Sequence, residues 1–102
     1  MANYKLSNDA KDDLIRIHQW GVHEHGEAAA DEYYNAFFDH FEILAQQPLL
    51  YPSVSHIQKG YRRSICGVDA VYYRVMDNGV EIMNIIGQQD FKKLFDDTQN
   101  SR

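Results

Sequence analysis

Cysteine occurs once in this 102-residue chain, at Cys66. A lone thiol excludes an internal disulfide and suits a reducing compartment. No apolar run approaches the roughly 20 residues that a membrane-crossing helix needs. The opening Met1-Ala2-Asn3-Tyr4-Lys5 has no apolar centre of a secretion signal. A cytoplasmic protein with no membrane partner is the expectation. Positive charge is scarce too: ten Lys and Arg stand against 15 Asp and Glu, a formal net charge of −5. Proteins that grip nucleic acid do so by neutralising phosphates, so direct sequence-specific nucleic-acid binding is disfavoured and a protein partner is expected. Paired carboxylates, a Gly-rich phosphate loop and a Ser–His–Asp set are all missing, and with them any pattern that demands an enzyme. No repeat, linker or low-complexity stretch interrupts the chain.

What is present is an ordinary apolar content, 44%, of which aromatic residues supply 13% of the chain. That composition fits one folded domain over 1–102, with an ordered core of about 4–95. Net stability near 5–15 kcal/mol is normal at this size, so neither cofactor nor metal is needed to explain folding.

The chain has two halves of different period. Tyr4 to Leu6 reads as a short first strand, and Ser7 as a helix N-cap with Asp9 in the first turn. Ala10, Leu14, Ile17 and Gly21 then recur on one helical face. His25-Gly26 closes that helix, because glycine tolerates positive φ. Glu27 opens a second helix whose stripe is Ala30, Tyr34, Phe37, Phe41 and Leu44, ending before Pro48. The turn between them is so short that the helices must lie antiparallel.

Leu49 to Gly60 is a loop. The period then drops to two: Tyr61 to Ile65 is a strand, Gly67 a turn, and Ala70 to Met76 a second strand. Val71, Tyr73 and Val75 are expected on one face of it, Tyr72 and Arg74 on the other. Asn78-Gly79 signals a hairpin into Val80 to Ile86, apolar on both sides as a central strand is. Phe91 to Phe95 could add one helical turn. The predicted class is α+β, in the order β-α-α-β-β-β, with a helical hairpin packed on an antiparallel meander.

Several residues have more than one reading. Lys59, Tyr61, Arg62, Arg63 and Arg74 are the concentrated positive charge. Arg62 and Arg74 fall one step out of the inward register, so paired strands would place them together on the exposed sheet face. Such a patch could hold a phosphate or a partner's acidic side chains, or it could be a solvated face with cross-strand pairs. Trp20 sits at the margin of the first helical stripe, either as a core-edge residue or as an anchor for a partner. His23-Glu24-His25 is a wet turn rather than a metal set, since residues two apart do not share a helical face and no further ligand completes it. Cys66 has no neighbouring base and reads as a small turn residue rather than a nucleophile.

The run Tyr4-Lys5-Leu6-Ser7, Ala10, Asp13-Leu14, Ile17 and Trp20 resembles the opening of ParE-type toxins of the RelE/ParE superfamily. The resemblance continues through Gly26, Ala29, Tyr33 or Tyr34, Phe41, Leu44-Ala45 and Pro48. It is closest at Ile57, Gly60-Tyr61-Arg62-Arg63, Gly67 and Val71-Tyr72-Tyr73-Arg74, and it spans about Tyr4 to Asp90. It implies a toxin of a type II toxin–antitoxin pair, neutralised by a ParD-like antitoxin that wraps the hairpin and sheet. It also implies DNA gyrase as target, a role in retaining plasmids or chromosomal islands, and no catalysis by the toxin itself. Trp20, Tyr61, Arg62, Arg63, Tyr72 and Arg74 are the expected target- or antitoxin-binding residues. RelE-like cousins cleave mRNA on the ribosome, the alternative activity, but the acidic charge and the bare Gly87-Gln88-Gln89-Asp90 stretch disfavour it. Gly87 and Asp69 stand where ParE-like toxins usually carry histidine, and Tyr51-Pro52 replaces a glycine, which raises a further alternative, a binding module of weakened toxicity.

Overall fold

The protein, described here over residues 3–87 in a computed structural model, runs β1 (Asn3–Leu6), α1 (Asn8–His25), α2 (Glu27–Gln46), β2 (Tyr61–Cys66), β3 (Asp69–Met76) and β4 (Gly79–Gly87). The helical turn expected over Phe91–Phe95 and the segment Gln88–Asp90 lie outside the described residues.

Local chemistry accounts for the helical hairpin. Ser7 has extended backbone, and its Oγ accepts the Ala10 N–H at 3.0 Å, satisfying one orphan donor of α1. A single residue then separates the helices. Gly26, at φ 90°, donates its N–H to Val22 O while its own carbonyl accepts from Ala30 N. One glycine thus ends α1 and starts α2, and the positive φ is the reason it must be glycine. Gly21 meets Ala30 across the crossing, where a Cβ would stand 3.3 Å from the Ala30 Cβ.

The sheet order is β1-β4-β3-β2. β2, β3 and β4 form the expected antiparallel meander, whereas β1 lies outside it, parallel to β4, so the sheet is mixed. β4 is accordingly central. The helices cover one face, and the core there is built from Leu14, Phe37, Phe41, Leu44, Val71, Tyr73, Ile82 and Ile85. Both predicted helical stripes turn inward, except that Gly21 and Tyr34 are only half-buried.

Three details depart from simple alternation. Tyr72 pairs with Asn84 but Tyr73 with Ile82, so Met83 bulges without a partner. The bulge explains why the inward residues of β4 are Val80, Ile82 and Ile85. Val75 shares the inner side with Val71 and Tyr73 as expected, yet is 43% exposed because it lies beyond the helices' cover. At the hairpin, Asp77 and Asn78 make the turn without positive φ, so Gly79 is not a turn glycine. A Cβ on Gly79 would collide with the backbone of Asn3, its parallel partner.

β1 is much shorter than β4, which leaves polar backbone on β4 uncovered. Side chains take it. Ser7 Oγ donates to Met83 O at 2.7 Å, Asp13 Oδ2 accepts Ile85 N–H at 2.8 Å, and Arg16 donates to Ile85 O at 3.2 Å.

Candidate functional site

The outer sheet face, turned away from the helices, collects most of the predicted site residues. Tyr61 pairs with Arg74, and Arg63 with Tyr72, as a two-by-two block of tyrosine and arginine. Arg74 is engaged: its Nε and a terminal nitrogen donate to Glu81 Oε1 at 2.9 and 2.6 Å. Tyr72, although on this outer side, is only 4% exposed. Arg63 has its backbone N–H on Pro52 O, and it lines a cavity of about 320 Å³.

Arg62 is not part of this face. It pairs with Tyr73, on the helix side, and donates to Tyr51 O at 2.6 Å. The expectation that Arg62 would lie beside Arg74 on the exposed face is therefore corrected. The inward residues of β2 are Arg62, Ser64 and Cys66, and Ile65 points out at 61% exposure. Polar inward positions are tolerated because each has a partner. Ser64 Oγ meets His40 Nε2 from α2 at 2.8 Å, and burial lowers the His40 pKa. Arg62 and Tyr73, whose hydroxyl donates to Pro48 O at 2.7 Å, hold down the loop after α2. Burial pushes the Tyr73 phenol up to about 12, with Arg62 opposing it.

Cys66 ends β2 and is buried, rather than standing in the turn as expected. Burial, aided by Asp69, pushes its thiol up to about 11, so it is not a thiolate at neutral pH.

The second region is a groove of about 580 Å³ at the tip of the hairpin, lined by Ile17, Trp20, Ala30, Tyr33, Tyr34 and Val68 among others. Trp20, 48% exposed, stands at its edge with its ring 5.8 Å from that of His25 in an edge-on arrangement. His18 bridges the helices at the same groove, with Nε2 2.7 Å from Asp31 Oδ1. His23 meets its neighbour Glu24 at 3.0 Å, and no metal-binding cluster forms among the described residues.

Asp69 lines this groove. Its carboxylate accepts the Tyr33 hydroxyl at 2.6 Å, with Cys66 O 2.9 Å away, while the Val68 N–H donates to the same phenol oxygen. Burial, together with donation to Asp69, drives the Tyr33 pKa far above its ordinary value. The phenol rests on Gly67, at φ 62°, where a Cβ would strike its ring. In the sequence Asp69 stands out only as a departure from the family pattern, and Tyr33 only as an alternative to Tyr34. Tyr33, immediately before Tyr34 at the edge of the stripe, was the available signal.

The comparisons with known proteins agree with this architecture. The family described as "ParE toxin of type II toxin-antitoxin system, parDE" matches residues 4–91. Toxin ParE1 of Caulobacter vibrioides is 32% identical over 88 residues, 86% of this chain and 91% of that protein. A chain of a chromosomal ParDE TA system from P. aeruginosa has the same fold, with a TM-score of 0.73 at 21% identity, covering 85% of this chain and 96% of that one. A YafQ mutant from E. coli is more distant, with a TM-score of 0.54 at 15% identity, covering 89% and 98%. Among the described residues no helix is long and apolar enough to cross a membrane. The chain belongs to the ParE toxin family of type II toxin–antitoxin systems.

Proposed function

We propose that this protein is a ParE-type toxin held inactive by a ParD-like antitoxin, and that it acts on DNA gyrase by binding rather than by catalysis. The observation that carries the antitoxin half is the apolar groove on the hairpin, with Trp20 exposed at its edge. A groove of that kind receives the apolar face of an amphipathic helix. The gyrase target rests on the family resemblance. Binding rather than catalysis is supported by the outer face, where Arg74 is tied to Glu81, Tyr72 is covered and Arg62 is turned inward. Among the described residues, proton-handling groups there do not converge as RNA cleavage requires.

Purified toxin added to a gyrase supercoiling reaction tests the target. Loss of supercoiling with accumulation of cleaved DNA is the expected result, reversed by the antitoxin from the neighbouring gene. Unaffected gyrase at large molar excess would remove it. Codon-linked cuts in translated mRNA after induction would instead establish ribosomal cleavage.

A further inference from the structure

Asparagine is followed by glycine at a single place in the chain, Asn78-Gly79. This pair forms the tip of the β3–β4 hairpin, where only Asp77 and Asn78 join the paired residues Met76 and Gly79. Asn78 is exposed, and among the described residues its side-chain amide has no hydrogen-bond partner. Its backbone carbonyl is engaged: it accepts the Asn3 N–H at 2.9 Å and so fastens the start of β1. Gly79 has no side chain to shield its backbone nitrogen. None is tolerated there, because a Cβ would collide with the backbone of Asn3. Asn35 and Asn84, by contrast, are held within α2 and β4, and Asn84 is followed by the branched Ile85.

We propose that Asn78-Gly79 is a site of spontaneous covalent modification, deamidation to isoaspartate, and that the product releases β1 from the sheet. Asparagine is a thermolabile residue, and here the reacting atoms are neighbours with nothing between them. The Gly79 backbone nitrogen gives up its proton to water and attacks Cγ of Asn78. The bond from Cγ to the side-chain nitrogen breaks, ammonia leaves, and a cyclic imide closes. Water then opens one of the two C–N bonds of the imide. Opening at Cγ gives aspartate on the original backbone; opening at the backbone carbonyl carbon gives isoaspartate. The net change is water taken up and ammonia released, with no oxidant or enzyme required. Pairing with Met76 restrains Gly79, so the attack occurs when the turn opens, and opening a hairpin tip costs less than global unfolding.

Isoaspartate changes this corner in two ways. The main chain now runs through Cβ and Cγ, one carbon longer before Gly79. The oxygen that held the Asn3 N–H passes to a free carboxylate off the main chain. Gly79 is shifted against Asn3 at a contact too close to admit a methyl group, and β1 has only four residues with which to hold on. The glycine that lets β1 approach is also what leaves Asn78 reactive, so the fold cannot shed the second property without the first. The inference goes beyond the gyrase reading and does not rest on it.

The whole chain, kept folded at growth temperature in neutral buffer, tests it. Peptide mapping by mass spectrometry should show amide-to-acid exchange at Asn78, with Asn35 and Asn84 intact. Isoaspartate in that peptide is read by methyl transfer from labelled S-adenosylmethionine with an isoaspartyl methyltransferase. The isoaspartyl fraction, separated by ion exchange, should lose amide protection at Asn3–Leu6 and melt at a lower temperature, while the aspartyl fraction keeps both. Asn78→Ser, which retains a turn-forming residue but has no amide, should age without loss of β1 protection. Circular dichroism checks that this variant folds, and the unsubstituted chain carries the test without it. Asn78 intact in the folded chain but reactive in urea would overturn the proposal. So would an isoaspartyl fraction with β1 still protected, or equal loss of protection in aged Asn78→Ser.

Discussion

At the residue scale, the side chains that mattered most were polar ones whose partners come from far along the chain. Tyr33 is the clearest. Its hydroxyl serves Asp69, the Cys66 carbonyl and the Val68 amide together. Tyr33→Phe leaves Asp69 buried without that donor, and we expect a loss of about 1–3 kcal/mol in denaturant unfolding. An unchanged midpoint would show the latch to be idle. His40 gives a pH dependence with a definite sign. Burial lowers its pKa in the folded protein from the ordinary value of 6.5, so the unfolded chain takes up a proton that the folded one resists. Stability from this group is intact above about pH 6.5 and declines as pH falls below it. Thermal midpoints measured across that range should fall less steeply in His40→Gln. Neither interaction is visible in sequence, because histidine, serine, tyrosine and aspartate are all common on surfaces. The same blindness misplaced Arg62, which faces the helices with Ser64 and Cys66 because the Tyr51 carbonyl, His40 and the packing around Tyr33 accept these residues.

At the scale of elements, periodicity read the helices and strands well, since each buries one face on a regular repeat. Phe37, Phe41 and Leu44 fall inward as their spacing requires. Two things escaped it. The Met83 bulge shifts the inward set of β4 by one residue, and no alternation pattern encodes an unpaired residue. The partner of β1 also escaped, because four residues of strand carry no information on which edge they will join. Gly79 was legible as important but for the wrong reason. It marked a turn in the sequence, and in the fold it lets the backbone of Asn3 approach. Gly79→Ala should therefore detach β1. We expect destabilisation of several kcal/mol, on the order of the largest single-substitution effects, and rapid amide exchange at Asn3–Leu6. A loss below about 1 kcal/mol, the cost of a generic surface change, would argue that β1 shifts instead. At the hairpin, Trp20→Ala should leave the thermal midpoint within a degree or two while weakening antitoxin binding. A cost of about 2 kcal/mol or more in affinity would mark it as a hot spot, measurable by calorimetry.

For the whole molecule, charge is divided by layer. α2 carries Glu27, Asp31, Glu32, Asp39 and Glu42 and no lysine or arginine, whereas Lys5, Arg63 and Arg74 lie on the outer sheet face with Glu81. The net charge of −5 reported the balance but not this polarity, which depends on which way each strand faces. A partner that approaches the helical layer should associate faster at low salt if it is basic. Stopped-flow association of toxin and antitoxin at several ionic strengths would measure it, and a flat salt dependence would show that the hairpin acids lie outside the encounter surface.

The parallel pairing of β1 with β4 has one more consequence, for biosynthesis. The helical hairpin joins neighbours in sequence and can form as soon as it leaves the ribosome. The first strand cannot be seated until the last one exists, because the Ser7 hydroxyl waits for the carbonyl of Met83, 76 positions later. Non-local closure of this kind is the slow step in small α+β proteins. A nascent chain therefore exposes a finished helical surface while its sheet is still open, and the sheet closes only once β4 has emerged.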